Sequence, residues 1–244
     1  MAVVIEGAGV PLAVTERGAG PAILLVHDIA SDAEDVAPLA ATLADRARVV
    51  AYDRRGYGAS GAPVPYGATT VHEQAQDAAA VLTALGDAPA LVCGLGFGAL
   101  VALDLLTRRP DLVRGAVLAD PPLFAFVAEA AEALAGRRAV LEEALREGGP
   151  RLAVARWLGP RTAAERVARA QDAHGAFFAD VAGLASWPVT RGALRAIGLP
   201  VAVVTSPGAP AHVRAAAAAV GTLIPGAQRR EDGEVAAATR AIGG

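Results

Sequence analysis

The stretch Leu91–Leu106, LVCGLGFGALVALDLL, decides how the chain is read. An apolar run ends in three alternating glycines, Gly94, Gly96 and Gly98, and a longer apolar run follows. This pattern predicts a buried strand, a sharp turn and a buried helix. Many enzymes hold a nucleophile at the middle of such a turn. Here the middle residue is Gly96, which has no side chain to offer.

Working outward, the same rhythm repeats. Ala22–His27 (AILLVH), Ala47–Asp53, Ala88–Gly94 and Val113–Asp120 read as strands, and Leu199–Ser206 resumes the series. Their near-continuous apolar character is that of strands buried on both faces. Helical spacing falls between them, over Asp32–Asp45, Thr70–Leu85, Phe97–Thr107, Ala211–Val220 and Glu234–Ile242. Val3–Glu6 and Leu12–Glu16 read as short leading strands, and AQRRED as a weak last one. Strands alternating with helices imply a mostly parallel α/β sheet with helices on both faces. From Pro121 to about Trp187 only helix-like segments occur. The expected organisation is therefore an α/β core, 1–120 and 190–244, interrupted by a helical insertion, 121–189.

Composition removes several classes of function. The formal net charge is −3, which argues against nucleic acid as a partner. All 22 basic residues are arginine, so no lysine is available for a Schiff base. Cys93 is the only cysteine, which excludes an internal disulfide and a cysteine-rich zinc site. No apolar run reaches membrane-spanning length, and the first residues lack the pattern of a signal peptide. A cytoplasmic protein acting on a small molecule, without metal or cofactor, is expected. The sequence leaves room for a homodimer.

Three segments in order now carry a resemblance. ILLVHDIAS is similar to the strand and His-Gly loop that opens α/β-hydrolases. VVAYDRRGYGAS resembles that family's D-x-R-G-x-G-x-S segment. LVCGLGFGALVALDLLTRRPDLVRGAVLADPP looks like its nucleophile elbow, following helix and next strand. The resemblance runs from Leu12 to Ile242 and implies an α/β-hydrolase fold with a helical lid.

It also implies a triad, and each of its usual positions fails. The nucleophile position is Gly96. The usual acid position falls within SPGAP, Ser206–Pro210, which has no carboxylate. No histidine follows His212. An ordinary serine hydrolase is therefore not expected.

What the resemblance leaves is the oxyanion hole, at the N–H groups of Ile29 and Phe97, together with His27, Gly96 and three candidate proton carriers. Asp28 replaces the glycine of the His-Gly pair and brings a carboxylate beside the oxyanion site; in an apolar pocket it would tend to hold its proton. Asp120 ends the strand after the elbow, a position from which some family members take their acid. His212 is the one histidine near the catalytic edge in the C-terminal half. His72 and His174 are further histidines whose direction the sequence leaves open, and Asp53, Arg55 and Tyr57 read as braces of the long loop.

The favoured expectation is a non-hydrolytic enzyme, a lyase, isomerase or cyclase, acting on a small apolar metabolite. The alternatives are an inactive pseudohydrolase that binds a ligand or partner, and an atypical hydrolase with a relocated acid or base. A dinucleotide-binding protein is a further one, because GLGFGA also fits G-x-G-x-x-A at Gly94, Gly96 and Ala99.

Overall fold

The central strands are apolar at nearly every position because they have two faces to bury. In β3 (Ala22–Val26), Leu24 and Val26 join one buried cluster, while Ile23 and Leu25 join a second on the opposite side of the sheet. β4 (Arg48–Tyr52) divides in the same way, with Val50 and Tyr52 on one face and Val49 and Ala51 on the other. The first face is covered by α2 (Val71–Ala84), α3 (Phe97–Arg108) and α8 (Ala211–Leu223). The second is covered by α1 (Ala37–Leu43) and α9 (Val235–Gly243).

The computed structural model describes residues 2–86, 88–184 and 186–243. Met1, Asp87, Ala185 and Gly244, which fall inside the expected core and insertion ranges, lie outside the described residues. The remaining strands are β1 (Ala2–Glu6), β2 (Pro11–Arg17), β5 (Ala90–Leu95), β6 (Val113–Ala119), β7 (Val201–Val204) and β8 (Gln228–Arg230). They form one sheet in the order β1-β2-β4-β3-β5-β6-β7-β8. β1 and β2 pair antiparallel and β2 meets β4 antiparallel; every later pairing is parallel.

Between β6 and β7 the described residues form helices and no strand: α4 (Ala128–Leu158), α5 (Ala164–Asp172), α6 (His174–Gly183) and α7 (Arg191–Arg195). Gly149 (φ 77°) followed by Pro150 interrupts α4, so its two halves run as separate helices in the backbone sense.

Two boundaries differ from the sequence expectation for local reasons. α1 begins at Ala37 rather than Asp32, because the preceding residues are committed elsewhere. Asp32 Oδ1 accepts from Asp35 N at 3.0 Å, and Ala33 N donates to Asp53 Oδ1 at 2.8 Å. β5 starts at Ala90 rather than Ala88, since Pro89 has no N–H to give to a ladder.

Two of the opening glycines set the distance between sheet and helix. A Cβ on Gly94 would stand closer than 3.0 Å to the Gly98 carbonyl, and one on Gly98 would do the same to the Val26 and His27 carbonyls. These are backbone atoms and cannot swing aside. Gly98→Ala should therefore destabilise the protein by about 3 kcal/mol, at the upper end of overpacking costs, as read from urea unfolding. Unchanged stability would mean that α3 does not lie this close to β3.

Candidate active site

The elbow is built where β5 hands over to α3. Gly96 takes φ 53°, ψ −117°, the left-handed region in which a side chain is strained. Its N–H donates to the Ala119 carbonyl of β6 at 2.9 Å. The turn thus points the Phe97 N–H outward at the start of a twelve-residue helix.

That donor is already used. Asp28 Oδ1 accepts from Phe97 N at 2.7 Å and from Ile29 N at 2.7 Å. The two N–H groups that the family resemblance assigns to an oxyanion hole therefore hold a carboxylate of the protein itself. The same carboxylate accounts for Gly96. A Cβ at position 96 would lie closer than 3.0 Å to Oδ1, Oδ2 and Cγ of Asp28. The empty position at the centre of the turn is filled from the neighbouring loop. No hydrogen bond reaches Asp28 Oδ2 from the described residues.

Asp28 is partly buried. Burial raises its pKa most strongly. Its bonds to Phe97 and Ile29, then the charges of Arg54 and Arg166, pull the other way, and the balance lies above the usual carboxylate value. A carboxyl group in that state exchanges a proton nearer to neutral pH than a solvated aspartate does.

The loop carrying Asp28 is fixed from behind by a fully buried network. Arg54 donates through Nε to the His27 carbonyl (3.0 Å) and through Nη2 to the Asp28 carbonyl (3.0 Å). Its Nη2 also pairs with Asp180 Oδ2 on α6 at 2.6 Å. Gln74 and Tyr57 complete the Asp180 carboxylate, at 2.7 Å each. The insertion is thereby tied to the core directly under the candidate site. A buried pair of this kind is costly to break, since either partner would be left charged and alone.

The expected residues fall into distinct places. His27 is buried and spends both ring nitrogens: Nε2 accepts from Arg54 N at 2.9 Å, which leaves the proton on Nδ1, facing the Asp28 carbonyl at 2.8 Å. Burial, then the Arg54 charge, holds its pKa well below the usual histidine range. It is a neutral strut. Asp120 (φ 46°) accepts from Ser206 N at 2.9 Å and from Ser206 Oγ, joining the ends of β6 and β7.

His212 lies in the first turn of α8, partly buried. Burial, then the charge of Arg137 on α4, lowers its pKa. The Asp28 charge acts on Arg137 in turn. His72 bonds through Nδ1 to Asp104 Oδ2 at 2.9 Å, on the α2–α3 side. His174 opens α6 and is partly buried. Asp53 accepts from Ala33 and Ala59, and Arg55 pairs with Asp77, so both brace the long loop as read from the sequence.

Asp180 is the residue behind the site that sequence reading missed: it pairs with Arg54, which holds the Asp28 loop. At the other end of the core, the loop in which the family carries its histidine is reduced to a tight turn. Asp232 pairs with Arg230 and accepts from Glu234 N at 3.0 Å. Cys93 is buried in the second cluster, its thiol pushed up to about 12 by burial. For the dinucleotide alternative, the α3 N-terminus already carries a negative group where a pyrophosphate would have to bind. Among the described residues no cluster of His, Cys, Asp and Glu could hold a metal ion, and no helix is long and apolar enough to cross a membrane.

Comparison with known proteins bears on the fold. A sequence profile described as alpha/beta hydrolase fold matches residues 21–173. The chain is 37% identical over 107 residues to YraK of Bacillus subtilis, described as an uncharacterised hydrolase, covering 44% of this chain and 40% of that protein. It is 34% identical over 111 residues to the 2-(acetamidomethylene)succinate hydrolase of Mesorhizobium japonicum, covering 46% and 39%. These alignments span about two-fifths of the curated relatives' length. A solved α/β hydrolase from Sphaerobacter thermophilus superposes with a TM-score of 0.73 at 26% identity, covering 94% of this chain and 91% of that one.

The contact between positions 28 and 96 can be measured. Gly96→Ala should cost about 3 kcal/mol, from backbone strain and from collision with the carboxylate. In an Asp28→Ala background the collision is gone, so the same change should cost at least about 1 kcal/mol less, as read from a double-mutant cycle in urea. Additive effects would place the Asp28 side chain elsewhere.

Proposed function

We propose, for a chain that belongs to the α/β-hydrolase fold family, a non-hydrolytic acid–base reaction on a small, largely apolar metabolite, with Asp28 as the proton carrier. The observation that carries this reading is the position of the Asp28 carboxylate. It stands in front of the α3 N-terminus, where the family holds a nucleophile, and keeps one oxygen bonded and the other free.

The chemistry follows from that division of labour. The N–H groups of Ile29 and Phe97 fix Oδ1 and stabilise negative charge on the carboxylate. Oδ2 is the atom that gives or takes a proton. A carbon acid next to a carbonyl would lose its proton to Oδ2, leaving an enolate. Return of that proton at another atom completes an isomerisation, and loss of a β-leaving group completes an elimination. Burial brings the carboxyl toward the working pH, which suits an exchange in both directions. Asp120, held by Ser206, and His27, held on both nitrogens, are positioning residues in this scheme. His212, partly buried in the first turn of α8, is the second candidate for proton transfer.

One observation favours the second reading, an inactive pseudohydrolase that binds a ligand. Both oxyanion-hole donors are satisfied from within the chain, so the elbow is complete without a substrate. A water activated by Asp28 would give the atypical hydrolase instead, and product analysis separates it from rearrangement.

Asp28→Asn is the direct test. Asn keeps an oxygen for the two N–H groups but cannot carry the proton. On a panel of enolisable carbonyl compounds, turnover by the native protein should fall by at least about a hundredfold in the variant, with melting temperature retained. Native protein should not be labelled by a fluorophosphonate. Equal turnover in both proteins would remove Asp28 from the reaction, and stoichiometric labelling would reveal a serine nucleophile. No turnover in either protein favours the pseudohydrolase.

A further inference from the structure

The elbow sits at the C-terminal end of β5. At the opposite edge of the sheet, where the parallel strands β3 and β6 begin, a cavity of about 200 Å³ opens. Leu43 at the end of α1, and Thr239 and Gly243 of α9, form part of its wall. Three arginines line it together: Arg46 just past α1, Arg114 near the start of β6, and Arg240 in the last turn of α9.

Guanidinium groups gathered around one space repel one another, and their usual partner is a carboxylate. The nearby Arg48 has one, Glu16 at 2.6 Å. Among the described residues no carboxylate lines this cavity, and none pairs with Arg46, Arg114 or Arg240.

What these arginines meet is backbone. Arg114 Nη1 donates to the Gly243 carbonyl at 3.1 Å, and Arg240 Nη2 to the Thr42 carbonyl at 3.2 Å. Both carbonyls belong to helix ends, so the C-termini of α1 and α9 meet the cavity. Each helix end carries about half a negative charge, which leaves a surplus of about two positive charges. Donors are left over as well. Arg114 Nε is buried without a hydrogen-bond partner among the described residues, which is costly unless an acceptor completes it.

A phosphate group carries about two negative charges near neutral pH and offers acceptor oxygens in several directions. A carboxylate offers two oxygens and one charge, enough for a single guanidinium fork. The chamber is smaller than the ~300 Å³ at which sites for larger ligands begin, so it suits the anion and not an organic body.

We propose that Arg46, Arg114 and Arg240 form a phosphate-binding site, remote from the elbow, that pins α9 to β6 and to the end of α1. The ligand is a phosphate group, free or at the end of a monoester whose organic part lies outside the chamber. The site does not depend on the acid–base reading.

The arginine Nε–Hε resonances, followed by ¹⁵N NMR at constant ionic strength, test this with inorganic phosphate and methyl phosphate. Phosphate should shift the Arg114 signal saturably and slow amide hydrogen exchange in α9. Arg114→Gln should weaken binding by about tenfold or more, and acetate should bind about tenfold more weakly than phosphate. Arg46 is exposed, so Arg46→Gln should keep the fold and still weaken binding by about threefold or more. Arg195→Gln, at an exposed arginine of α7 outside the cavity, should change it by less than about twofold. Methyl phosphate binding as tightly as phosphate assigns a monoester, and its exclusion assigns the free ion. No saturable shift in the native protein would mean that the three charges are balanced within the chain, and would overturn the proposal. So would acetate binding as well as phosphate, or an equal loss in Arg195→Gln and Arg114→Gln.

Discussion

The candidate site depends on one interaction, the two hydrogen bonds from Ile29 N and Phe97 N to Asp28 Oδ1. A helix N-terminus and two converging N–H groups attract negative charge, and a buried carboxylate needs donors. Each half would be costly without the other. Gly96 follows from the pair, because any side chain there would occupy the carboxylate's space. The glycine and the aspartate are one feature, divided between two loops. Arg54 extends it by holding the His27 and Asp28 carbonyls, and Asp180 extends it to the insertion.

This arrangement differs in kind from a hydrolase that has merely lost its nucleophile. Loss alone would leave an open hole facing the cleft. Here the hole is filled by a group that can titrate, with one oxygen held and the other free. On the proposed reading, the family's electrostatic device is retained and its target is changed, from a transient oxyanion on a substrate to a resident carboxylate. Named hydrolases among the relatives share the fold, while the elbow chemistry of this chain rests on its own residues.

Much of the fold was legible because the central strands are buried on both faces. Ala22–Val26 and Arg48–Tyr52 could hardly be read otherwise, and their parallel pairing follows from the helices between them. Gly96 and Asp28 were each visible as departures from the family pattern. Their contact was not, because sequence shows that two loops adjoin only through the family resemblance and says nothing of a side chain's direction. The same limit applied to Asp120, which turns to Ser206, and to His27, whose two ring nitrogens are consumed by backbone groups. Asp180 was overlooked for a different reason: its partner Arg54 is distant in the chain, and nothing in the sequence pairs the two.

The most direct measurement is a carboxyl ¹³C NMR titration of the aspartates, with Asp28 assigned by the Asp28→Asn variant and the Ile29 and Phe97 amide protons followed together. Burial outweighs the two hydrogen bonds, so Asp28 should titrate above the usual carboxylate range. Both amide resonances should move in step with it. The folded state then binds this proton more tightly than the unfolded chain, and the stability it contributes is lost as pH rises through the folded pKa. An Asp28 that titrates at or below the ordinary aspartate value, or amide protons that ignore its titration, would contradict the account.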